Sequence, residues 1–594
     1  MCGFLVTPLD INDDYADFLF DKYVSYRGTI PKKEIVWNDY RFQFARLPIV
    51  DKNSFQNQPY IFDNNILVFN GELYNYLEIK DFLIKKYNLI FNTKSDSEVF
   101  LKAFLKLGPK KFFSMAAGMW AYVIADNKGK IYWGRDEFGI KPLFYIKKEY
   151  GLCLSSSQKA LVEILNLNKN KININELKRF IVSGYQNPNQ NNFYNGFENI
   201  YPGLTYSYLF KKDLIKKETN VFNNKALLRK SLREIIEDAF NSQYPTEVLS
   251  SLALSGGVDS TLILHLFKKK SLALNTLSLD LNSAVEEKGL IKETINLYNC
   301  KHSFIKADRD KLNKIINDLV FYLGQPLRSS QPIYQYLLRE KASKLKSKVF
   351  FTGDGSDEIF GGYTQGFYFF LKQLYDNGKS IEFLNSILKK YEKFLSLNEN
   401  VYEENIYSLI QKNLKIFNID LEWKNIFNYK FQIPDLPKDF NEYCDFRLYK
   451  HPMPYWLLTE DLVSLLNGLE TRVPFLDQRV VFKSKFLDKM QFYKNGSNKF
   501  NIRDGFSDLP LHILEIKKKL PRPADTDQIV FDEKNIQTIS SFINSDFLKE
   551  IFGSRVIQLE NLLESDNVNN YFKRSDNWFR MLTTHIFLSY ENII

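Results

Sequence analysis

Residues 249 to 268 read LSSLALSGGVDSTLILHLFK, an apolar run, a serine with two glycines, an aspartate with a serine, then a second apolar run. That order predicts strand, tight turn and helix. Gly256 and Gly257 remove the Cβ that would hold a phosphate off the backbone, and the first helical turn supplies free N–H groups at the positive end of the helix dipole. Ser255 and Ser260 belong to the same anion cradle. Asp259 is repelled by phosphates unless a divalent cation lies between them, so the expected ligand is ATP with Mg2+ bridging Asp259 and the polyphosphate. The pattern GxxxxGK[ST] is absent, and the nearest string, NGKS at 377 to 380, lacks its first glycine. An ordinary P-loop kinase or ATPase is therefore disfavoured. A purely structural loop is the plain alternative.

A chain of 594 residues exceeds one core, and two or three domains are expected. Eighty basic residues are scattered among 70 acidic ones, with no polybasic tail, so the net charge of +10 reads as a solvated surface and not as a nucleic-acid site. Four cysteines (Cys2, Cys153, Cys300, Cys444) are too few and too scattered for a disulfide framework or a zinc site. No leader pattern and no apolar run of spanning length is present, which predicts a cytoplasmic protein with no membrane partner.

The sequence opens Met-Cys-Gly. Removal of Met1 would put a free α-amino group, pKa roughly 7.7 to 8.0, beside the Cys2 thiol, so one residue would carry nucleophile and base. Residues 66 to 76, ILVFNGELYNY, predict a strand, a polar turn and a helix to about Tyr87. Asn70 and the Gly71 N–H suit an oxyanion hole, because a side-chain amide and an unhindered backbone donor can aim at one oxygen. Arg46 can grip a carboxylate through two parallel hydrogen bonds, and Glu72 and Asp96 can hold an ammonium. These are handles for a free amino acid. Taken singly, Asn-Gly is also a hairpin turn, SDSE a helix cap, and Arg46 a surface ion pair.

With MCGF and SGGVDS, the strings AAGMWAYVIAD (116 to 126), RDEFGIKPLFY (135 to 145) and LSSSQKAL (154 to 161) make the chain resemble the glutamine-dependent asparagine synthetases along nearly its full length. The resemblance implies two domains. Residues 1–210 would be a class II glutamine amidotransferase domain, an αββα sandwich of the N-terminal nucleophile (Ntn) hydrolase type. Residues 225–594 would be an ATP pyrophosphatase domain, a doubly wound parallel sheet with a helical C-terminal part, joined through a polar linker over 210–224. It also implies Cys2 as nucleophile, Asn70 and Gly71 as oxyanion hole, and Arg46, Glu72 and Asp96 as the glutamine clamp. The family's RGPD stands here as Arg27, Gly28, Thr29, Ile30, and its GHxRL as Gln43, Phe44, Ala45, Arg46, Leu47.

Downstream of the cradle, strand-like TLSLD (276 to 280), SFIKAD and VFFT (349 to 352) alternate with helices, as in a parallel sheet. VFFT runs into GDGSDEIFGGY, which brings Asp354, Asp357 and Glu358 to the strand ends where ligands bind in such sheets. By resemblance Leu254, Leu279, Thr352 and Gly353 line the nucleoside, Asp259 and Asp357 hold Mg2+, and Lys499 in KFNIR lies against the phosphates. Asp354 faces the adenylate as a base. NGLETRVPFLD (467 to 477) matches a further signature, but the preceding DRMSM is altered to Asp461, Leu462, Val463, Ser464, Leu465. The lysine- and aromatic-rich stretch 366 to 450 predicts helical packing, and the C-terminal NWFRMLTTHIFLSYENI an amphipathic closing helix.

The implied activity is asparagine synthesis from aspartate, ATP and glutamine. Amidation of another carboxylate, on a sugar, a peptide or a small metabolite, is the second reading. An RNA-modifying pyrophosphatase and a non-catalytic scaffold stand further off. A homodimer is admitted, the oligomeric state being open.

Overall fold

A computed structural model describes the chain except for residue 1, 50–57, 166–170, 191, 210–213, 246, 282–284, 396–405, 415–419, 430–435, 517–524 and 569–573. Among the described residues eleven strands build its first part: β1 (Cys2–Pro8), β2 (Ile30–Trp37), β3 (Tyr40–Arg46), β4 (Tyr60–Phe62), β5 (Asn65–Leu73), β6 (Gly118–Ala125), β7 (Lys130–Arg135), β8 (Phe144–Lys148), β9 (Gly151–Ser155), β10 (Leu204–Leu209) and β11 (Leu214–Thr219). They form one sheet in the order β2-β3-β1-β9-β8 and another in the order β11-β10-β7-β6-β5-β4.

Strand period places the layers. In β1, Phe4 and Val6 face Ile66 and Val68 of β5 in the core between the sheets, while Leu5 turns outward against Leu19, Phe20 and Leu161 of the helices Asp13–Tyr23 and Gln158–Leu165. In β5, Leu67 and Phe69 turn the other way, onto the helices Tyr76–Tyr87 and Asp96–Leu107. Both faces of both sheets are covered, which gives the expected αββα sandwich.

Five further strands, β12 (Ser250–Ala253), β13 (Leu274–Leu279), β14 (Lys301–Ile305), β15 (Val349–Phe351) and β16 (Glu470–Arg472), form a parallel sheet in the order β14-β13-β12-β15-β16. The chain leaves β12 toward β13 and β14 and then returns to the other side for β15 and β16. The order therefore reverses between β12 and β15, where a doubly wound sheet opens a crevice at its strand ends. The stretch 366 to 450 is helical where described, and Phe367, Leu371, Tyr391 and Phe440 share one apolar cluster. The closing helix is Ser575–Tyr590, and Glu591 just past it accepts from Lys171 (2.8 Å) and from the Tyr194 hydroxyl (2.9 Å) of the first half.

One local expectation needs correction. The polar stretch assigned as a linker contains β11, paired with β10 from Leu204↔Thr219 to Leu209↔Leu214; residues 210–213 lie outside the described residues. Lysines of LIKKET guard a sheet edge, and an edge strand so protected reads as loop in a sequence. Asn70 and Gly71 lie within β5, opposite Ala121 and Trp120 of β6, and not in a turn. The helix before β12 starts at Leu232, behind a capping box of Ser231 and Glu234.

Candidate active sites

Two groups of candidate residues form, one around the start of β1 and one lining a cleft at the sheet crevice. Cys2 opens β1 opposite Arg46 of β3 and is 8% exposed. Its backbone N–H donates to Asn70 Oδ1 at 3.0 Å, and the Asn70 Nδ2 is buried with no hydrogen-bond partner among the described residues. A spare donor on the residue that touches the thiol's own backbone can serve a developing oxyanion. A Cβ on Gly71 would sit 2.0 Å from the Met119 carbonyl, so β5 can approach β6 this closely only with glycine there. Burial pushes the Cys2 thiol above its usual value, against the Leu47 backbone amide and the charge of Arg46. Met1, whose removal would expose the α-amino group, lies outside the described residues.

Glu72 follows Gly71 on β5, and Asp96 begins the helix Asp96–Leu107 under a Ser95 cap, its Oδ2 accepting from the Leu73 N–H at 2.9 Å. Two residues from the second half join them. Arg472 lies 3.3 Å from Glu72 Oε1 and 2.7 Å from Glu470 Oε1, both residues projecting from β16. Glu72 and Glu470 thus share one guanidinium, and Asp96 is buried close enough to feel their charge. Burial and Glu470 push Glu72 up to about 8, and burial pushes Asp96 up to about 6 against the Leu73 N–H. Such a pocket calls for a further cation, and an α-ammonium is one. Glu470 and Arg472 were inside a recognised string, yet no spacing rule ties residue 470 to residue 72.

In the second cleft β12 ends at Ala253 and β15 at Phe351, side by side. After β12, Gly256 takes φ 68 and Gly257 caps the helix Val258–Lys269, as the phosphate cradle requires. Ser260 Oγ lies 3.1 Å from the Ser255 N–H, which donates to it, and closes the loop. After β15, Gly353 lets Asp259 approach, since a Cβ there would sit 2.8 Å from the Asp259 Cβ. Thr352 Oγ1 donates to Asp354 Oδ2 at 2.6 Å. Lys499, 2% exposed and at φ 51, places its ammonium 2.6 Å from Asp259 Oδ2 and 2.5 Å from Asp357 Oδ1; Ser356 Oγ donates to Asp259 Oδ1 at 2.6 Å. A left-handed lysine is strained backbone held by its surroundings, as at functional sites.

Leu254, Leu279, Thr352, Gly353, Asp354 and Asp357 all line this cleft with Ser255, Gly257, Asp259, Ser260 and Lys499; Gly256 lies in the turn behind it. Asn498 and Arg503 line it too. Arg503, the last letter of KFNIR, is pinned by its NH1 donating to the Ile513 carbonyl at 2.7 Å, and the motif itself was the signal for it. Among the described residues no group of three or more His, Cys, Asp or Glu side chains forms a metal site. Two convergent carboxylates fit Mg2+ nonetheless, because that ion is commonly bound by one or two carboxylates together with substrate phosphates.

The clefts share packing. Leu47, Tyr74 and Met119 from the first half lie in one apolar cluster with Leu252, Phe351 and Val473 from the second. Gln478 clasps Gly118 by both ends of its amide, accepting from its N–H at 2.8 Å and donating to its carbonyl at 2.7 Å. Arg27, retained from the altered RGPD string, donates to the Cys2 carbonyl at 3.3 Å and to Asp461 Oδ2 at 2.7 Å.

Residues 1–222 match a family model described as a glutamine amidotransferase domain, and residues 231–589 one described as asparagine synthase. The chain is 27% identical over 582 residues to the glutamine-hydrolyzing asparagine synthetase 1 of Bacillus subtilis strain 168, covering 90% of this chain and 89% of that protein. It is 26% identical over 382 residues to a protein of Methanocaldococcus jannaschii named a putative glutamine-hydrolyzing asparagine synthetase 2, covering 58% of this chain and 71% of that one. Against the glutamine-hydrolyzing asparagine synthetase 2 of the same Bacillus strain it is 26% identical over 486 residues, 77% of this chain and 62% of the relative.

Proposed function

We propose that this chain, which belongs to the asparagine synthase family, makes an amide from glutamine nitrogen and an ATP-activated carboxylate. It is an ATP-dependent carbon–nitrogen ligase whose nitrogen donor is glutamine. The Cys2 sulfur attacks the glutamine side-chain amide carbon, and Asn70 and Gly71 stabilise the oxyanion. The C–N bond breaks as the thiol proton passes to the nitrogen and ammonia leaves, and water then hydrolyses the thioester to release glutamate and restore the thiol. Arg46 holds the glutamine carboxylate and Glu72 and Asp96 its ammonium. In the second cleft an acceptor carboxylate oxygen attacks the α-phosphorus of ATP and pyrophosphate departs. Ammonia then attacks the acyl carbon, AMP leaves with the bonding pair, and Asp354 takes a proton from the nitrogen.

Asp259 and Asp357 would hold Mg2+, which neutralises phosphate charge when bound. Lys499 stands where charge develops on the departing pyrophosphate. The preferred acceptor is the aspartate β-carboxylate, giving asparagine, glutamate, AMP and pyrophosphate. A functional division near residues 210–225 and a cytoplasmic setting belong to the same reading, and among the described residues no helix is long and apolar enough to cross a membrane.

The observation that carries this reading is β16. Its backbone pairs with β15, which ends at Thr352-Gly353-Asp354, while its side chains Glu470 and Arg472 complete the pocket around Cys2. One observation favours a different acceptor: Leu462, where the family signature carries arginine, is packed in an apolar cluster at 3% exposure and offers nothing to an acceptor. The test is product analysis with ATP, aspartate and either glutamine or ammonium. Asparagine with equimolar AMP is expected; ADP in place of AMP would sink the pyrophosphate-loop reading, and AMP formed only with another carboxylate would move the second reading to first.

A further inference from the structure

A buried ion pair reaches from the second half of the chain to the nucleophile's own peptide. Asp461 projects from the helix Met453–Leu465, and its Oδ2 accepts from Arg27 Nη2 at 2.7 Å, the two side chains each being 2% exposed. Arg27 ends the short turn Ser25–Arg27, and its Nε donates to the Cys2 carbonyl at 3.3 Å. At the other end of the same residue, the Cys2 N–H donates to Asn70 Oδ1 at 3.0 Å. Both backbone polar groups of Cys2 are therefore met by side chains, one from β5 and one that is itself held by Asp461. A Cβ on Gly3 would sit 2.8 Å from the Val24 carbonyl and 2.9 Å from the Arg27 Cβ, so the residue after Cys2 has to be glycine for this turn to lie against β1. The turn is also tied to β3, where the Thr29 N–H donates to the Arg46 carbonyl at 2.8 Å beside the Cys2↔Arg46 pair.

A buried ion pair is weak evidence for stabilisation, because taking both charges out of water offsets their attraction and an apolar pair of the same volume often does as well. What the pair supplies here is direction. The guanidinium is a planar fork, so fixing one nitrogen on Asp461 fixes where the others point, and Nε points at the Cys2 carbonyl. Asp461 Oδ1 also stands 3.6 Å from Lys141 Nζ, so the carboxylate faces two buried cations of the first half. Without it Arg27 would lie buried beside another cation, and its fork would turn away from the peptide it now holds. Tyr26 bears on Arg27 as well, but burial raises its phenol, which stays neutral and does not replace a carboxylate. A shift of roughly 1 Å at a reacting centre costs on the order of 100-fold in rate, so a small rotation of the Cys2 peptide is enough to matter.

We infer that Asp461 is a positioning residue for glutamine hydrolysis: through Arg27 it fixes the Cys2 peptide and so the direction of the Cys2 sulfur, although it lies in the segment matched to asparagine synthase. This rests on the role proposed above for Cys2. It gives the aspartate of the altered DRMSM string a task at the thiol and not at the nucleotide.

The test is steady-state glutamine hydrolysis by the full chain, together with the rate at which iodoacetamide alkylates Cys2, read from the mass of the N-terminal peptide. Asp461→Asn is expected to lower kcat for glutamine about tenfold and to slow alkylation, with glutamine KM and ammonium-supported AMP formation unchanged. Arg27→Met should do the same. Asp461→Asn added to Arg27→Met should cost nothing further, since an effect carried through one residue is lost with that residue. Arg27→Lys and Asp461→Glu replace any variant that does not fold, and the same loss of kcat is expected because neither keeps the fork on both partners. An unchanged kcat, a change confined to KM, an equal fall in ammonium-supported AMP formation, or additive losses in the double variant overturns the positioning role. If the unsubstituted chain hydrolyses no glutamine, the proposed function falls and alkylation decides alone: slower alkylation in Asp461→Asn upholds the positioning of the thiol, and an equal rate overturns it.

Discussion

Around Cys2, Glu72 and Glu470 share the guanidinium of Arg472 with Asp96 buried near them, whereas in the nucleotide cleft Asp259 and Asp357 close on the ammonium of Lys499. In the first pocket burial raises Glu72 and Asp96, while Arg472 and Lys141 hold Glu470 down at about 2 against its burial. The second carries its own cation, and Lys499 is itself raised because the two aspartates outweigh the burial that would lower it. A pocket of the first kind is completed by a cationic substrate; one of the second kind must exchange partners when a metal and phosphates arrive. The two regions therefore obey different rules within one chain, and perturbing each should show it.

The largest expected effect separates them outright. Cys2→Ala should lower glutamine-supported synthesis by at least about 10⁴-fold, the scale of losing a nucleophile, and leave ammonium-supported AMP formation intact. Residual glutaminase activity in that variant would break the assignment.

Next, Asp259→Asn or Asp357→Asn should cut AMP formation by roughly 10²- to 10³-fold with either nitrogen source, leaving glutamine hydrolysis in place. If hydrolysis fell in parallel, the clefts would not be independent.

Within the second cleft, Asp354→Asn should slow amide formation from ammonium by about 10²-fold, the lower end for a lost general base. Steady-state AMP release with aspartate and ammonium reads this, and an unchanged rate removes Asp354 as base.

The smallest effect sharpens the charge comparison. With Glu72 raised to about 8 and Asp96 to about 6, both hold protons at low pH that an ammonium must displace. Glutamine KM should fall about tenfold between pH 6 and 8, while the KM for ammonium, tested through AMP release, follows only the ammonia fraction. A glutamine KM that is flat over that range would mean the carboxylates are already ionised.

Both glycine-acid loops were legible in the sequence because each follows a short apolar run and precedes a helix, so strand end and loop could be read together. The alternation of Phe4, Leu5 and Val6, or of Ile66, Leu67 and Val68, carried the sandwich in the same way. Strand, turn and helix over 66 to 87 were legible too, and pairing of Asn70 and Gly71 with β6 removes the hairpin alternative for Asn-Gly. Glu470 and Arg472 gave no signal as pocket residues, since only tertiary folding brings them 398 positions back to Glu72, from 470 to 72.

The placement of β16 bears on modularity. The amidotransferase match ends at residue 222, but the guanidinium beside Glu72 comes from residue 472. A chain severed between the two matches keeps Cys2, Asn70, Glu72 and Asp96 and forfeits Arg472, so on the proposed reading the glutamine pocket extends beyond the matched amidotransferase segment. Grafting this N-terminal half onto another synthetase would transplant an unfinished pocket unless the recipient brought its own Glu-x-Arg strand to the seam.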